Sequence, residues 1–474
     1  MTEQENEAGL SIADETFRTL GRRVIDMAAD FLRDLEHMPA YPSDPAASLQ
    51  DLDAAPPRIG MGEHALDALS AVIASSRPPT SRFFGYVSGS GEPVAALGDL
   101  LASVLNQNVT SWRSAPSGVA IEQQVISWIA QFIACGEFTG SLCGGGSASN
   151  LMALAMARES RLPANETGVQ GGVVYASSEV HMSIPKAVAL LGLGRANLRL
   201  VAVDGEYRLD VRVLEEVIRA DVTAGLKPLA VVATAGTVNT GAIDPLLQVR
   251  AVCDRFDLWL HVDGAYGALA AAAAPEKFVG LSQADSISLD AHKWLYQPLD
   301  CGVLLFKDVA TAIRTFSHSG DYVKPLETEA AAACSYFDQS VELSRRFRAL
   351  KLWLSLRYHG LEAFRSAIGV DLRHAAELAS RIATHPELEL LAPVTLSAVC
   401  FRYRSTGSMM ATNELNTAIL KRVISRGRVY LSNATLRGMC ALRACFVNHR
   451  TRDTDVALIV TEVLAAAAEL SGGV

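Results

Sequence analysis

The sequence has no CxxC pair, no basic cluster and no apolar run near the roughly 18 residues that a membrane span needs. The nearest approach to such a run, Ala268–Ala274, is short and alanine-rich. Eight cysteines lie scattered at 135, 143, 253, 301, 334, 400, 440 and 445. That spacing argues against a disulfide framework or a zinc site and suits thiols kept reduced. No metal is expected. The net charge of −9 leaves no electrostatic footprint for nucleic acid. The first residues, Met1-Thr2-Glu3-Gln4-Glu5-Asn6-Glu7, are acidic and polar, the opposite of a leader peptide. These absences point to a cytoplasmic protein without membrane or nucleic-acid partners.

What is present suits a globular chain of two or three domains: 474 residues, half hydrophobic and a fifth charged. Residues 15–36 carry apolar side chains at helical spacing, and a Pro- and Asp-rich stretch follows from Pro39 to Pro57. A second helical stretch covers about 64–76. Two helices on a tether make no core, so residues 1–80 are expected to lie against another surface, such as a second subunit. Phe83-Phe84-Gly85-Tyr86 and Trp112 could be ordinary packing or could line a substrate pocket. Helices are expected near 93–105 and 121–133.

From about residue 140, β-rich runs alternate with helical ones. Strands are expected near 172–176, 198–203, 228–233, 258–262, 285–289 and 302–306. Helices are expected at 149–159, 183–192, 210–224 and 245–256. Such alternation indicates a mainly parallel sheet covered on both faces, with ligands at the carboxyl ends of the strands. Beyond about 365 a smaller α+β unit is expected, which divides the chain into 1–80, 81–365 and 366–474.

Chemistry-bearing residues fall just after these strands. Gly144-Gly145-Gly146-Ser147-Ala148-Ser149-Asn150 opens a helix, where free N–H groups suit a phosphate, although glycine-rich turns are common. His181 is a structural histidine or stacks on a cofactor ring. Thr237 lies in a turn that ordinary turn chemistry also explains. Asp263, in His261-Val262-Asp263-Gly264-Ala265-Tyr266, caps a helix or keeps a pyridinium nitrogen protonated; Ala265 is small enough for a flat ring. Lys293, in Asp290-Ala291-His292-Lys293-Trp294, is a solvated charge or a Schiff-base lysine. Each is ambiguous alone; together they are specific.

On these motifs the chain resembles the group II pyridoxal-phosphate-dependent decarboxylases of the aromatic-L-amino-acid decarboxylase type. Tyr41-Pro42, Ser114-Ala115-Pro116 with Glu122, Arg345 to Lys351, and Leu442-Arg443 extend the likeness over nearly the whole chain. The resemblance implies the α/β fold-type-I, aminotransferase-like architecture with a seven-stranded, mainly parallel sheet. It implies pyridoxal 5′-phosphate as cofactor, a small-molecule amino-acid substrate and a homodimer with active sites at the interface. By the same resemblance Ala148, Ser149 and His292 hold the phosphate, His181 stacks on the ring, and Lys293 binds the aldehyde. Tyr322, in Gly320-Asp321-Tyr322, matches the family's loop tyrosine, which supports protonation at Cα. Asp290 stands where the family's aromatic members commonly have Asn.

The expected reaction is decarboxylation of an L-amino acid to its amine and CO2. The alternative is an aldehyde synthase, in which O2 intercepts the carbanion. Such relatives tend to replace the loop tyrosine or the stacking histidine, and this chain keeps Tyr322 and His181. A catalytically dead binding protein would be expected to have lost Lys293 or Asp263. Phe84, Tyr86 and Trp112 favour an aromatic side chain; Arg113, if turned inward, would favour an acidic one.

Overall fold

The computed structural model describes residues 10–42, 57–168, 171–318 and 335–471. Helix α1 (Asp14–Asp34) and helix α2 (Leu69–Ser75) bury none of their residues. Helix α3 (Pro93–Leu105) starts on a proline. Its N-cap Glu92 accepts from the N–H groups of Val94 and Ala95, satisfying donors that have no helical partner. Helix α4 (Pro116–Phe132) begins at Pro116, five residues before the start expected at 121.

The large sheet has seven strands: β1 (Thr139–Cys143), β2 (Val173–Ser177), β3 (Leu198–Val201), β4 (Pro228–Thr234), β5 (Trp259–Asp263), β6 (Ser286–Asp290) and β7 (Gly302–Phe306). Their order is β1-β7-β6-β5-β4-β2-β3. Strand β7 runs antiparallel to both neighbours and the other six run parallel. Strands β2, β5, β6 and β7 are buried on both faces. They therefore read as apolar or small-residue runs rather than strict alternations. The connecting helices are α5 (Gly146–Arg161), α6 (Ser183–Leu190), α7 (Val211–Thr223), α8 (Leu246–Phe256), the single turn α9 (Ala291–Trp294) and α10 (Val309–Phe316). The six strands read from sequence occur within a residue or two of their expected limits. Strand β1, Thr-Gly-Ser-Leu-Cys, was not among them.

A buried ion pair fixes β1. Arg345 bonds Glu122 of α4 through its guanidinium, and the same group donates to Val109 O at 2.6 Å and Leu142 O at 2.8 Å. Glu122 in turn accepts from Leu142 N at 2.8 Å. Both side chains are 1% exposed.

Helix α11 (Ala349–His359) leads into helix α12 (Leu361–Thr384), and strands β8 (Leu388–Leu390), β9 (Ala398–Tyr403), β10 (Ser432–Leu436) and β11 (Met439–Cys445) form an antiparallel sheet of order β10-β11-β9-β8. Helices α12 and α13 (Met409–Arg426) lie against it, and α14 (Asp453–Ser471) packs on both helices. The expected division at 365/366 falls inside the continuous helix α12. Phe364 and Ile368 belong to the large core, whereas Ala375, Leu378 and Ile382 belong to the small one.

Candidate active site

Strands β1, β2, β4, β5 and β6 run parallel and end on one edge of the large sheet, where a cavity of about 300 Å³ opens. This is where open α/β sheets bind ligands. One wall is the start of α5. Gly145 enters it at φ 118°, a conformation that glycine adopts without steric cost. Strand β7 also demands glycine there, since a Cβ on Gly302 would lie 2.4 Å from the Gly145 backbone. Gly144 to Ser147 line the cavity. The first turn of a helix offers N–H groups and a positive dipole end to an anion.

Ala148 and Ser149 are the residues expected at the anion site. Neither lines the cavity. Their N–H groups donate to Gly145 O at 2.9 and 3.1 Å, and the fully buried Ser149 Oγ lies 3.0 Å from Cys143 Sγ and donates to Val303 O at 3.1 Å. Residues two apart on a helix lie about 200° around its axis. With Ser147 on the cavity, Ser149 faces the sheet.

Asp263 ends β5, lines the cavity and is 4% exposed. It accepts from Asn150 Nδ2 at 2.9 Å, Ser288 Oγ at 3.1 Å and its own turn's Ala265 N at 3.2 Å. Ala265 lies beside it against α5, so close that a Cβ on Gly146 would be 2.7 Å from the alanine Cβ.

Asn150 ties this carboxylate to two histidines. Its Oδ1 accepts from His261 Nε2 at 2.8 Å, and its Nδ2 also donates to Ser183 Oγ at 2.9 Å. Ser183 Oγ donates a hydrogen bond to His181 Nδ1 at 2.8 Å, and Ser183 N–H donates to the same nitrogen at 3.2 Å. His181 Nδ1 is thus an acceptor, which leaves the ring hydrogen on Nε2. Burial lowers the pKa of His181 and pushes that of His261 down to about 4, so both rings are neutral near pH 7. His181 lines the cavity.

The turn α9 presents His292 and Lys293 from the end of β6. Trp294 anchors it: the ring is fully buried and stacks on Tyr266 with centroids 6.0 Å apart. Cys301 N–H donates to His292 Nδ1 at 3.3 Å, so the His292 hydrogen also sits on Nε2. Burial lowers the His292 pKa. Lys293 Nζ is 3.0 Å from Asp290 Oδ2, and both side chains line the cavity.

Other expected residues stand apart. Thr237 is fully buried, and its Oγ1 pairs with Thr240 Oγ1 at 2.9 Å and accepts from Ala242 N at 3.1 Å. Its hydroxyl serves its own turn, while Thr234, Gly236 and Val238 line the cavity. Phe84 also stands away from the cavity lining. Backbone bonds to Tyr430 and Cys445 carry it into the small core, where its ring meets Phe446 at 5.1 Å. Tyr86 is 59% exposed with its hydroxyl 3.1 Å from that of Tyr430, and Trp112 is 38% exposed; neither lines the cavity. Tyr322 lies outside the described residues. Sequence reasoning missed Asn150, Ser183 and Ser288. Asn150 carried a signal, since it follows Ser147 by three and shares its helix face.

An anion cradle, a shielded carboxylate, an acceptor-fixed imidazole and an amine therefore share one cavity. The set fits a flat ring with a phosphate at one end, a basic nitrogen at the other and an aldehyde between them. Comparisons with known proteins agree. The pyridoxal-dependent decarboxylase conserved domain matches residues 63–404. The aromatic-L-amino-acid decarboxylase of Bacillus atrophaeus is 31% identical over 474 residues, 98% of each chain. The phenylacetaldehyde synthase of Arabidopsis thaliana is 29% identical over 447 residues, 90% of this chain and 91% of that one. The crystal structure of Oryza sativa TDC with PLP and tryptamine aligns with a TM-score of 0.91 at 27% identity, covering 97% of this chain and 99% of that one. The seven-stranded sheet with its smaller companion is the fold-type-I architecture of such enzymes. With these matches covering most of its length, the chain belongs to the pyridoxal-dependent decarboxylase family.

Proposed function

We propose that this pyridoxal-phosphate-dependent amino-acid decarboxylase acts on aromatic L-amino acids and releases the amine and CO2. The carrying observation is that Lys293, Asp263, His181 and the start of α5 line one cavity. The aromatic specificity rests on likeness to the aromatic-L-amino-acid decarboxylase of Bacillus atrophaeus and to TDC solved with tryptamine.

The bound cofactor supplies an electron sink for the bond that breaks to CO2. Lys293 would hold its aldehyde carbon, and Gly144 to Ser147 with the His292 Nε2–H would hold its phosphate. Asp263 would keep the ring nitrogen protonated. Its bonds to Asn150 and Ser288 orient the carboxylate without neutralising it. His181 would lie over the ring, its Nε2–H directed at the substrate. Tyr322, assigned by resemblance alone, would support proton delivery to Cα.

We further propose a cytoplasmic homodimer. Leu97, Leu100, Leu101, Val104 and Leu105 of α3 are about half exposed, and α1 buries nothing. Contiguous exposed apolar surface of this kind marks an interface. Exposed Tyr86 and Trp112 would then complete a substrate pocket between subunits. The described cysteines are all free, which suits a reducing compartment. We propose 1–80 as an interface arm, 81–365 as a cofactor-binding unit and 366–474 as a small α+β unit, the last two joined through α12.

A second reading, an aldehyde synthase, is favoured by the likeness to phenylacetaldehyde synthase. One assay separates the two. Cofactor-loaded enzyme is offered aromatic, acidic and basic L-amino acids, and CO2, amine, aldehyde and peroxide are quantified. Equimolar CO2 and amine from an aromatic substrate is the expected result. Aldehyde with peroxide would support the synthase, and turnover of acidic substrates alone would overturn the aromatic assignment.

A further inference from the structure

Asp290 does not suit a phosphate site as it stands. It ends β6, is 4% exposed and lines the cavity beside the start of α5. A Cβ on Gly146 would lie 3.1 Å from Asp290 Oδ2, and one on Gly145 would lie 3.8 Å from Oδ1. The side chain makes no capping bond to α9. Oδ2 is 3.0 Å from Lys293 Nζ and 3.6 Å from His292 Nε2, while buried Oδ1 has no hydrogen-bond partner. An unpartnered carboxylate oxygen therefore faces the helix terminus that would receive the phosphate.

The groups around Asp290 leave Lys293 as its balancing cation. Burial lowers the pKa of His292, on the same turn, and of His181, after β2. The Cys143 thiol, at the end of β1, is pushed up to about 11 by burial. Arg348, before α11, is committed to Asp300 at 3.3 Å and Glu342 at 2.7 Å. Asp263, at the end of β5, is held by Asn150 and Ser288. Among the described residues, the one cation within ion-pair distance is thus the side chain that the cofactor would engage. An arriving phosphate then meets a carboxylate whose balance has been disturbed. Like charges confined together favour protonation of one of them.

We propose that Asp290 takes up a proton from solvent when the cofactor binds and donates it as a hydrogen bond to the phosphate, so that cofactor retention is proton-linked. This rests on the reading that the phosphate sits at the start of α5. Asp290 then does as an acid what an amide would do at any pH. The carboxyl becomes a donor through Oδ1, the atom that lacks a partner.

The test compares cofactor dissociation constants of wild type and Asp290→Asn from pH 6 to pH 9. Phosphate and ring ionisations are common to both proteins, but Lys293 loses its ion-pair partner in the variant, so the ratio is read together with the infrared band below. The expected result is near-equal affinity at pH 6 and at least tenfold tighter binding by the variant at pH 9. Infrared spectra of the cofactor-loaded proteins should show a protonated-carboxyl C=O stretch in wild type that Asp290→Asn lacks. Asp290→Ser serves the same comparison if Asp290→Asn does not fold. A ratio independent of pH, or no such stretch, overturns the proposal while leaving the site standing. Failure of the wild type to capture cofactor would overturn the site as well.

Discussion

At the scale of single residues, the account divides the labour sharply. Lys293→Ala is expected to lower amine formation by on the order of 10³-fold or more. Asp263→Asn keeps the shape but loses the charge, and a fall of about 10²–10³-fold is expected. Asn150→Ala tests the network behind them. It strips partners from His261, Asp263 and Ser183, and each stranded polar group costs about 1–3 kcal/mol. Urea midpoints should fall accordingly, and cofactor affinity with them. His261 adds a pH dependence. Its pKa is held at about 4 in the fold against 6.5 when solvated. Unfolding lets the ring take up a proton. The stabilisation is therefore fully present above pH 6.5 and is lost as the pH falls to about 4. The loss is on the order of 3 kcal/mol. His261→Gln should flatten that limb in pH-dependent urea titrations. Lys293, Asp263 and His181 were legible because each follows a strand, and strand ends gather at one edge of a parallel sheet. The side-chain directions of Ser149 and Thr237 were not legible, because they depend on helix rotation or turn closure, which residue order does not reveal. Asn150 and Ser288 act only through contacts between distant segments.

At the scale of elements, edge strand β3 is only partly buried, but β2, β4, β5, β6 and β7 were legible because near-complete burial makes them largely runs of apolar and small residues. Strand β1 was not: Thr139-Gly140-Ser141-Leu142-Cys143 has one large apolar residue, and tertiary partners place it. It pairs with β7 on one side, and the Glu122–Arg345 pair grips its backbone from the other. Removing one member of such a buried pair leaves a stranded charge, at a cost of about 3–5 kcal/mol. Glu122→Ala should show that loss in thermal or urea unfolding, and it should loosen the Gly144–Ser147 segment that β1 leads into. The boundary near residue 365 falls within one helix, and the passage between cores is hidden in the sequence for a related reason. Helix α12 is amphipathic without a break, so no local signal marks where its buried face passes from one core to the other.

At the scale of the whole molecule, the proposed dimer would cover the exposed apolar residues of α1 and α3. Leu100→Asp with Val104→Asp should yield a monomer by analytical ultracentrifugation, with decarboxylation falling along with the dimer fraction. A variant that stays dimeric and active would place the interface elsewhere. Tyr322→Phe tests the outcome of the reaction, with product expected to shift from amine towards aldehyde and peroxide. The central claim is that the cavity at the carboxyl edge of the large sheet holds pyridoxal 5′-phosphate on Lys293. It is tested most directly by treating cofactor-loaded enzyme with borohydride and mapping the pyridoxyl adduct by peptide mass spectrometry. The account predicts one adduct per chain, on Lys293, and none there in Lys293→Ala. An adduct on any other lysine of the wild-type chain would contradict it.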